Sequence, residues 1–191
     1  MSEEILRNSV TGEVMTVLES TPEAFRVRFS LGPHCSIPGS HFHPGKEQRV
    51  SVISGEMHLR VSGVHQVLRA GESTTVPAGA HHFQWNPTDT EMVAIEEIRP
   101  AGRTHEMFKT LFGLANDGKT NAKGYPSPLM AAALVAEFGD SLKPSPLALR
   151  ALFAALAPLA AVLGYRDVLQ KYRAQHSVQG SGSPASGGSA P

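Results

Sequence analysis

Alternating apolar and polar positions dominate the first hundred residues and predict short β-strands. In AFRVRFSL, apolar side chains alternate with two arginines, as in a half-buried strand. EMHLRV and HQVLRA flank Ser62-Gly63, a pair typical of a tight hairpin turn. ESTTVPAG and MVAIEEIRP predict two more short strands, with glycine and proline at the breaks. Many short strands separated by turns indicate a sandwich or a barrel.

Beyond residue 104 the apolar spacing changes and predicts helices up to residue 176. SPLMAAALVAEFGDSL begins with a Ser-Pro pair, typical of a helix cap and first turn, and breaks at Gly139. A second apolar run, from Ser145 to Tyr172, begins the same way and contains Pro158, which predicts a kink or a division. Residues 177–191 are uncharged and rich in Gly, Ser, Pro and Ala, so we expect disorder there.

These patterns divide the chain into a β-domain over 1–104, a helical extension over 105–176 and a tail over 177–191. The formal net charge of zero and the pI near 7.1 give no reason to expect a nucleic acid or an anionic membrane as partner. The single cysteine, Cys35, excludes an internal disulfide framework and fits a reducing compartment. The first residues are acidic and polar, unlike a secretory signal. We therefore expect a cytoplasmic protein.

The helix predicted in LALRALFAALAPLAAVL is apolar nearly all round and has two interpretations. Such a segment can associate with a membrane. Arg150, Pro158 and the short apolar length argue against a spanning helix. We favour packing against the β-domain or against a partner chain.

Two stretches carry histidines at spacings that suggest metal binding. In SHFHPGKEQRVSVISGE, His41 and His43 point to the same side of a strand, so their imidazoles can chelate one ion. GESTTVPAGAHHFQWN supplies two more histidines, after Gly71, Pro77 and Gly79. These stretches resemble the two motifs of the cupin superfamily. The resemblance covers roughly residues 20–100.

The resemblance implies a mainly β fold, a cupin-type double-stranded β-helix (jelly-roll) barrel with a C-terminal α-helical extension. Its metal would lie inside the barrel, bound by His41, His43 and His82. His82 rather than His81 meets the family's spacing. Similarity of HFQWN to the germin-type run implies that Gln84 faces the pocket as the candidate catalytic residue. Cupins commonly dimerise, so the resemblance also implies a homodimer.

The family's fourth ligand is a glutamate, and the sequence departs from the family there. Glu47 is one residue too far from Gly55, whereas Gln48 satisfies both spacings. Alternation in QRVSVISG places Gln48 on the inward face with two valines and turns Glu47 outward, unless a bulge intervenes. We favour Gln48 as the fourth ligand. An amide binds a divalent cation more weakly than a carboxylate, and the ion expected is Fe(II), Mn(II), Zn(II), Ni(II) or Cu(II).

The remaining candidate residues have ordinary interpretations. Glu96-Glu97 is interpreted as a solvated strand end, not as an acid/base pair, which leaves Glu47 as the nearest candidate base. Phe83 and Trp85 alternate with His82 and Gln84, so the outer face of that strand needs a cover, either the C-terminal helices or a second subunit. The histidines outside the motifs are interpreted as surface or loop residues; they are His34, His58, His65, His105 and His176.

Two functions compete, with a third as a minor option. The first is an enzyme, a metal-dependent oxygenase (dioxygenase) or isomerase that acts on a small organic molecule inside the barrel. The second is a non-catalytic module that binds a small molecule. The third has the apolar helices dock the barrel onto a membrane, which we consider unlikely. We favour the enzyme, because three histidines that leave open positions on an ion most often serve chemistry.

Overall fold

The computed structural model describes residues 3–37 and 39–174, and this part of the chain is mainly β. Its strands are β1 (Ile5–Arg7), β2 (Val14–Ser20), β3 (Phe25–Leu31), β4 (His41–Phe42), β5 (Glu47–Ser54), β6 (Glu56–Val61), β7 (Val64–Arg69), β8 (Ser73–Val76), β9 (His82–Trp85), β10 (Met92–Arg99) and β11 (Lys143–Pro144). Its helices are α1 (Thr104–Asn116), α2 (Pro128–Phe138), α3 (Leu147–Val162) and α4 (Tyr165–Ala174). The predicted fold class, a mainly β barrel with a helical extension, is confirmed.

The strands form two antiparallel sheets that enclose the core. One sheet has the order β1-β2-β3-β10-β5-β8, and the other has the order β11-β4-β9-β6-β7. Side chains alternate between the core and the outside along β3, β5, β6, β9 and β10, as the pleat requires. In β3 the buried positions are Phe25, Val27, Phe29 and Leu31, which confirms the alternation seen in AFRVRFSL.

The predicted hairpin joins β6 to β7. Ser62 and Gly63 both have positive φ angles, 47° and 86°. Two successive residues with positive φ match the right-handed twist of the flanking strands, so this turn sets the β6–β7 register.

The helical extension has its own apolar cluster, formed by α1, α2 and α4 with a single buried contribution from α3. Helix α2 begins after Ser127, whose side chain accepts a hydrogen bond from the Met130 amide, and ends at Gly139, as predicted. Pro158 does not divide the second apolar run, because α3 continues through it to Val162. The division follows at Gly164, where φ is 77° and the chain bends by 87° into α4.

The extension is joined to the barrel through β11, which pairs with β4 at the edge of the second sheet. No single helix in the described part of the chain has the length and apolar character to cross a membrane, and only the bent pair α3–α4 meets both criteria together. The predicted disordered tail, 177–191, and His176 lie outside the described residues. The division of the chain at residue 104 stays a prediction.

Candidate metal centre

Three buried histidines converge inside the barrel. β4 supplies His41, His43 follows it, and β9 supplies His82, which pairs with His41 across the β4–β9 ladder. The ring centroids are 4.4 Å (His41–His82), 5.1 Å (His41–His43) and 5.2 Å (His43–His82) apart. One possible ligand atom from each histidine lies within 4.8 Å of the others. The geometry therefore allows the three imidazoles to hold one ion.

The Nδ1 atom of each ring faces a backbone carbonyl. The distances are 3.2 Å (His41 to Gly39), 2.6 Å (His43 to Ser141) and 3.1 Å (His82 to Ala80). Such a contact holds the proton on Nδ1, so the lone pair falls on Nε2. The Nε2 atom of His82 is buried and has no hydrogen-bond partner among the described residues. An unpartnered buried nitrogen among three rings of this orientation fits a metal ion.

The histidines are held in the neutral form that binds metal. Burial lowers the pKa of His41 well below its usual value, and the neighbouring His82 and His43 lower it further. Burial also lowers the pKa of His43 to about 4 and lowers that of His82. Metal ligation requires neutral imidazole. Because the three rings are already neutral near pH 7, they release no proton when an ion binds.

The residue at the expected position of the fourth metal ligand is an amide, Gln48, and not a carboxylate. Gln48 is 2% exposed, whereas Glu47 is exposed, as strand parity predicts. The Gln48 Oε1 atom is buried without a hydrogen-bond partner, and its amide acts on the pKa of both His43 and Glu96. Gln48 is thus placed beside His43, and its role as the fourth ligand stays a prediction.

A buried carboxylic acid, Glu96, lies where the sequence interpretation expected a solvated strand end. Glu96 is 4% exposed and faces the barrel interior. The predicted catalytic residue Gln84 is also interior, and its Nε2 donates to Glu96 Oε2 at 3.3 Å. Burial raises the pKa of Glu96 to about 7, although hydrogen bonds from Gln84 and Gln48 act against this.

The solvated-end interpretation is therefore wrong for Glu96. The alternation of MVAIEEIR contains the missed signal, because Met92, Ala94 and Ile98 are all buried on the face that carries Glu96.

The other histidines lie outside the cluster. His81 is exposed and stacks on Phe42 at 4.8 Å, so it faces outward, as its alternation with the buried His82 requires. His34 is exposed, and its Nε2 lies 2.9 Å from Asp89. His105 is not a loop residue, because it lies in α1 and its Nδ1 is 2.8 Å from Ser20 Oγ.

Phe83 and Trp85 lie on the outer face of β9, as predicted. Trp85 stacks on His65 at 5.3 Å and packs against His58, and both aromatic rings remain half-buried. We expected this face to be covered, but in the single chain it is only partly covered.

Comparison with known proteins supports the interpretation of the barrel. Residues 27–96 match a family model described as a cupin domain. An RmlC-like cupin from Shewanella frigidimarina is 28% identical over 55% of this chain and 89% of its own, with a TM-score of 0.49. A double-stranded β-helix protein from Klebsiella pneumoniae is 25% identical over 50% and 83%, with a TM-score of 0.45.

A cupin described as a sugar phosphate isomerase, from Silicibacter pomeroyi, is 19% identical over 51% of this chain and 71% of its own, with a TM-score of 0.46. No curated protein matches the chain. The matched residues span β3 to β10 and include all three histidines of the cluster. The matched part of the chain is therefore a jelly-roll barrel that carries three histidines able to hold a metal ion. Residues 27–96 form a cupin domain.

Proposed function

We propose that the chain is a metal-dependent enzyme that acts, as an isomerase or an oxygenase, on a small organic molecule inside the barrel. The proposal is carried by the buried His82 Nε2 atom, which has no partner and lies with the rings of His41 and His43. Leaving a buried polar atom unpaired costs about 1–3 kcal/mol, and an ion at this position would remove that cost. Three neutral imidazoles suit Fe(II), Mn(II), Zn(II) or Ni(II).

The residues around the cluster have distinct roles in this proposal. His41, His43 and His82 hold the ion, and Gln48 presents its Oε1 as the fourth ligand or toward a ligand water. When bound, the ion supplies Lewis-acid or dioxygen-activating chemistry. Gln84 positions the substrate through its Oε1, which is buried without a partner, while its Nε2 is held by Glu96.

Glu96 supports the isomerase alternative on geometric grounds. Its carboxyl group faces the interior of the barrel and accepts a hydrogen bond from the Gln84 amide proposed to hold the substrate. A carboxyl group at that position can accept a proton from a substrate carbon and return it to a neighbouring atom. Glu47, the base suggested by the sequence, is exposed on the outer face and cannot serve.

A non-catalytic module that binds a small molecule remains the alternative, favoured by one observation. The residue beside His43 is the neutral Gln48, and among the described residues no carboxylate joins the histidine cluster as a negative ligand. In that case the barrel would retain its ligand unchanged.

The test is an incubation of the metal-loaded protein with a small-molecule cell extract, followed by mass spectrometry. If the protein is an enzyme, each molecule of it is expected to consume many molecules of one compound. Glu96→Gln is expected to reduce the rate at least about 100-fold, because it removes an acid/base group. Incubation under argon separates an isomerase, which continues, from an oxygenase, which stops. Retention of at most one equivalent, with no turnover by the wild type, would support the binding module instead.

A further inference from the structure

The segment between α2 and α3 touches the metal-binding strand at several points. The Ser141 carbonyl oxygen lies 2.6 Å from His43 Nδ1, and Pro144 is the ladder partner of His41. Ser145 donates its backbone amide to the Ser40 carbonyl at 2.9 Å. The two serine hydroxyls are 2.8 Å apart. Residues 139–145, here called the bracing segment, thus contact the chain along the histidine pair, from Ser40 to His43.

The contact to His43 differs in origin from the other two Nδ1 contacts. His41 and His82 each face a carbonyl two residues earlier in the chain, so those contacts form within the barrel. His43 instead faces a carbonyl 98 residues away. Ser141 is fully buried, and its amide donates to Phe138 at the end of α2. The orientation of the His43 ring therefore depends on how α2 ends.

We propose that the bracing segment is an integral part of the metal centre and that Ser141 is a positioning residue for His43. The hydrogen bond to the Ser141 carbonyl fixes the proton on Nδ1 and aims Nε2 at the ion. Outer partners of this kind typically change metal affinity by about 10- to 100-fold when they are lost. The proposal rests on the proposed metal site, but part of its test needs no metal.

Gly139→Ala is the variant that displaces the bracing segment. A Cβ atom at Gly139 would lie 2.5 Å from the Val135 carbonyl oxygen, so the chain leading to Ser141 must shift. Gly113→Ala is the matched control, because its Cβ would meet the Tyr172 ring in the same helical extension, away from His43. The affinity for Zn(II), measured by competition with a chromophoric chelator, is expected to fall about 10-fold or more in Gly139→Ala only.

The metal-free readout is the proton resonance of His43 Nδ1–H. A hydrogen bond of 2.6 Å is expected to give a slowly exchanging, strongly downfield signal in the wild type, which Gly139→Ala shifts or removes. Absence of that signal from the folded wild type would overturn the proposal even if the variant does not fold. Equal affinities of the two variants would also overturn it. A wild type that shows the signal but binds no metal would refute the metal site alone.

The exposed side of α3 carries a second, independent inference. Ala148, Leu152, Ala155, Leu159 and Val162 follow one another at steps of four and three residues, and all five are exposed. Leu152, Leu159 and Val162 expose 46%, 50% and 85% of their surface. We call these five residues the α3 seam. This spacing is typical of a helix that packs against another helix.

The α3 seam has no cover among the described residues, and the charges near it argue against a lipid surface. Helices that lie on membranes carry several Lys or Arg residues on their polar face. The only charged residue of α3 is Arg150, which is half-buried on the packed side with its guanidinium 5.4 Å from the centre of the Phe42 ring. Residues 175–191 contain one large aliphatic residue, Val178, and so offer no complementary apolar stripe.

We infer that the α3 seam binds a second copy of this chain, with the two α3 helices antiparallel about a two-fold axis at Ala155. In that arrangement Ala155 meets its own copy, Leu152 meets Leu159, and Ala148 meets Val162. At each end of the seam the small Ala148 thus faces the larger Val162. At the centre, the two copies of Ala155 allow the two helices to approach each other closely. Such a self-complementary surface is what two-fold symmetry requires.

Leu159→Lys tests the seam, with Gln170→Lys, on the exposed face of α4, as the control of equal charge. Light scattering is expected to give twice the 20.4 kDa chain mass for the wild type and the control, and the chain mass for Leu159→Lys. A monomeric wild type, or a Leu159→Lys variant that stays dimeric, would overturn the inference. Sedimentation of the wild type with vesicles of phosphatidylcholine and phosphatidylserine, without a dimer, would indicate a membrane instead.

A disulfide test is independent of whether the lysine variant folds. With Cys35 replaced by alanine, Ala155→Cys is expected to form an intermolecular disulfide on mild oxidation. Ala148→Cys is not expected to form such a disulfide, because the two copies of residue 148 would be about 21 Å apart along the helices. Efficient cross-linking of Ala148→Cys but not of Ala155→Cys would contradict the antiparallel arrangement.

Discussion

His82→Ala is expected to abolish stoichiometric binding of a transition metal, whereas His81→Ala is expected to retain it. His82 Nε2 is buried beside the rings of His41 and His43 and has no other partner. His81 is its neighbour in sequence, but it points outward and stacks on Phe42. Losing a ligand should cost more than losing an outer hydrogen-bond partner, so we expect the affinity to fall more than about 100-fold.

The measurement is elemental analysis of untagged protein purified without a chelator, with circular dichroism to show that each variant is folded. About one equivalent of metal is expected in the wild type and in His81→Ala. The metal found would also bear on the reaction, since iron favours dioxygen chemistry and zinc favours Lewis-acid chemistry. A folded wild type that contains no metal and cannot be loaded would refute the metalloenzyme proposal, and equal loss in both variants would refute the assignment of His82.

Strand periodicity predicts much of this site, because the side-chain period of a strand is two residues. That rule separates Gln48 from Glu47, and once the family spacing selects His82 it also turns His81 outward; the structure places all four residues accordingly. The same rule applied to MVAIEEIR would have placed Glu96 inside. The acidic pair was interpreted by composition, and a solvated end is the common fate of such a pair.

Other features were beyond the reach of the sequence for physical reasons. The acceptor at Ser141 is a backbone carbonyl, which every residue possesses, so no side-chain pattern marks it. Its partner lies 98 residues away, and only the folded topology brings the two together. Pro158 was expected to kink or divide its helix; α3 continues through it, and the division comes at Gly164, with its positive φ.

Glu13→Gln is expected to stabilise the metal-free protein against unfolding above neutral pH. Glu13 is 4% exposed, and burial together with the nearby charge of Glu96 raises its pKa from 4.5 to about 8. A carboxyl group whose pKa is raised on folding binds a proton in the folded state that the unfolded chain releases. Each step in pH between these two values therefore favours the unfolded chain, and stability falls as the pH rises.

The expected effect is large because the two pKa values are far apart. At 1.36 kcal/mol per pH unit, the ionisation of Glu13 costs about 5 kcal/mol of folding free energy once the pH exceeds about 8. Glutamine has nearly the same shape and no charge, so it removes this cost at high pH and changes little near pH 5. The difference in unfolding free energy between variant and wild type should thus grow from near zero at pH 5 to several kcal/mol at pH 9.

Urea unfolding of the metal-free protein from pH 6.5 to 9 measures this difference. The buried histidines, whose pKa values are lowered on folding from 6.5, add a slope of opposite sign near the lower end of this range, and comparing variant with wild type at each pH cancels it. Glu47→Gln, the same substitution at an exposed carboxylate, should leave the wild-type pH dependence unchanged. Parallel pH profiles for Glu13→Gln and the wild type would show that Glu13 is already ionised in the folded protein. Since Glu96 also has a raised pKa, of about 7, its own contribution to the slope should persist in Glu13→Gln and fade above that pH.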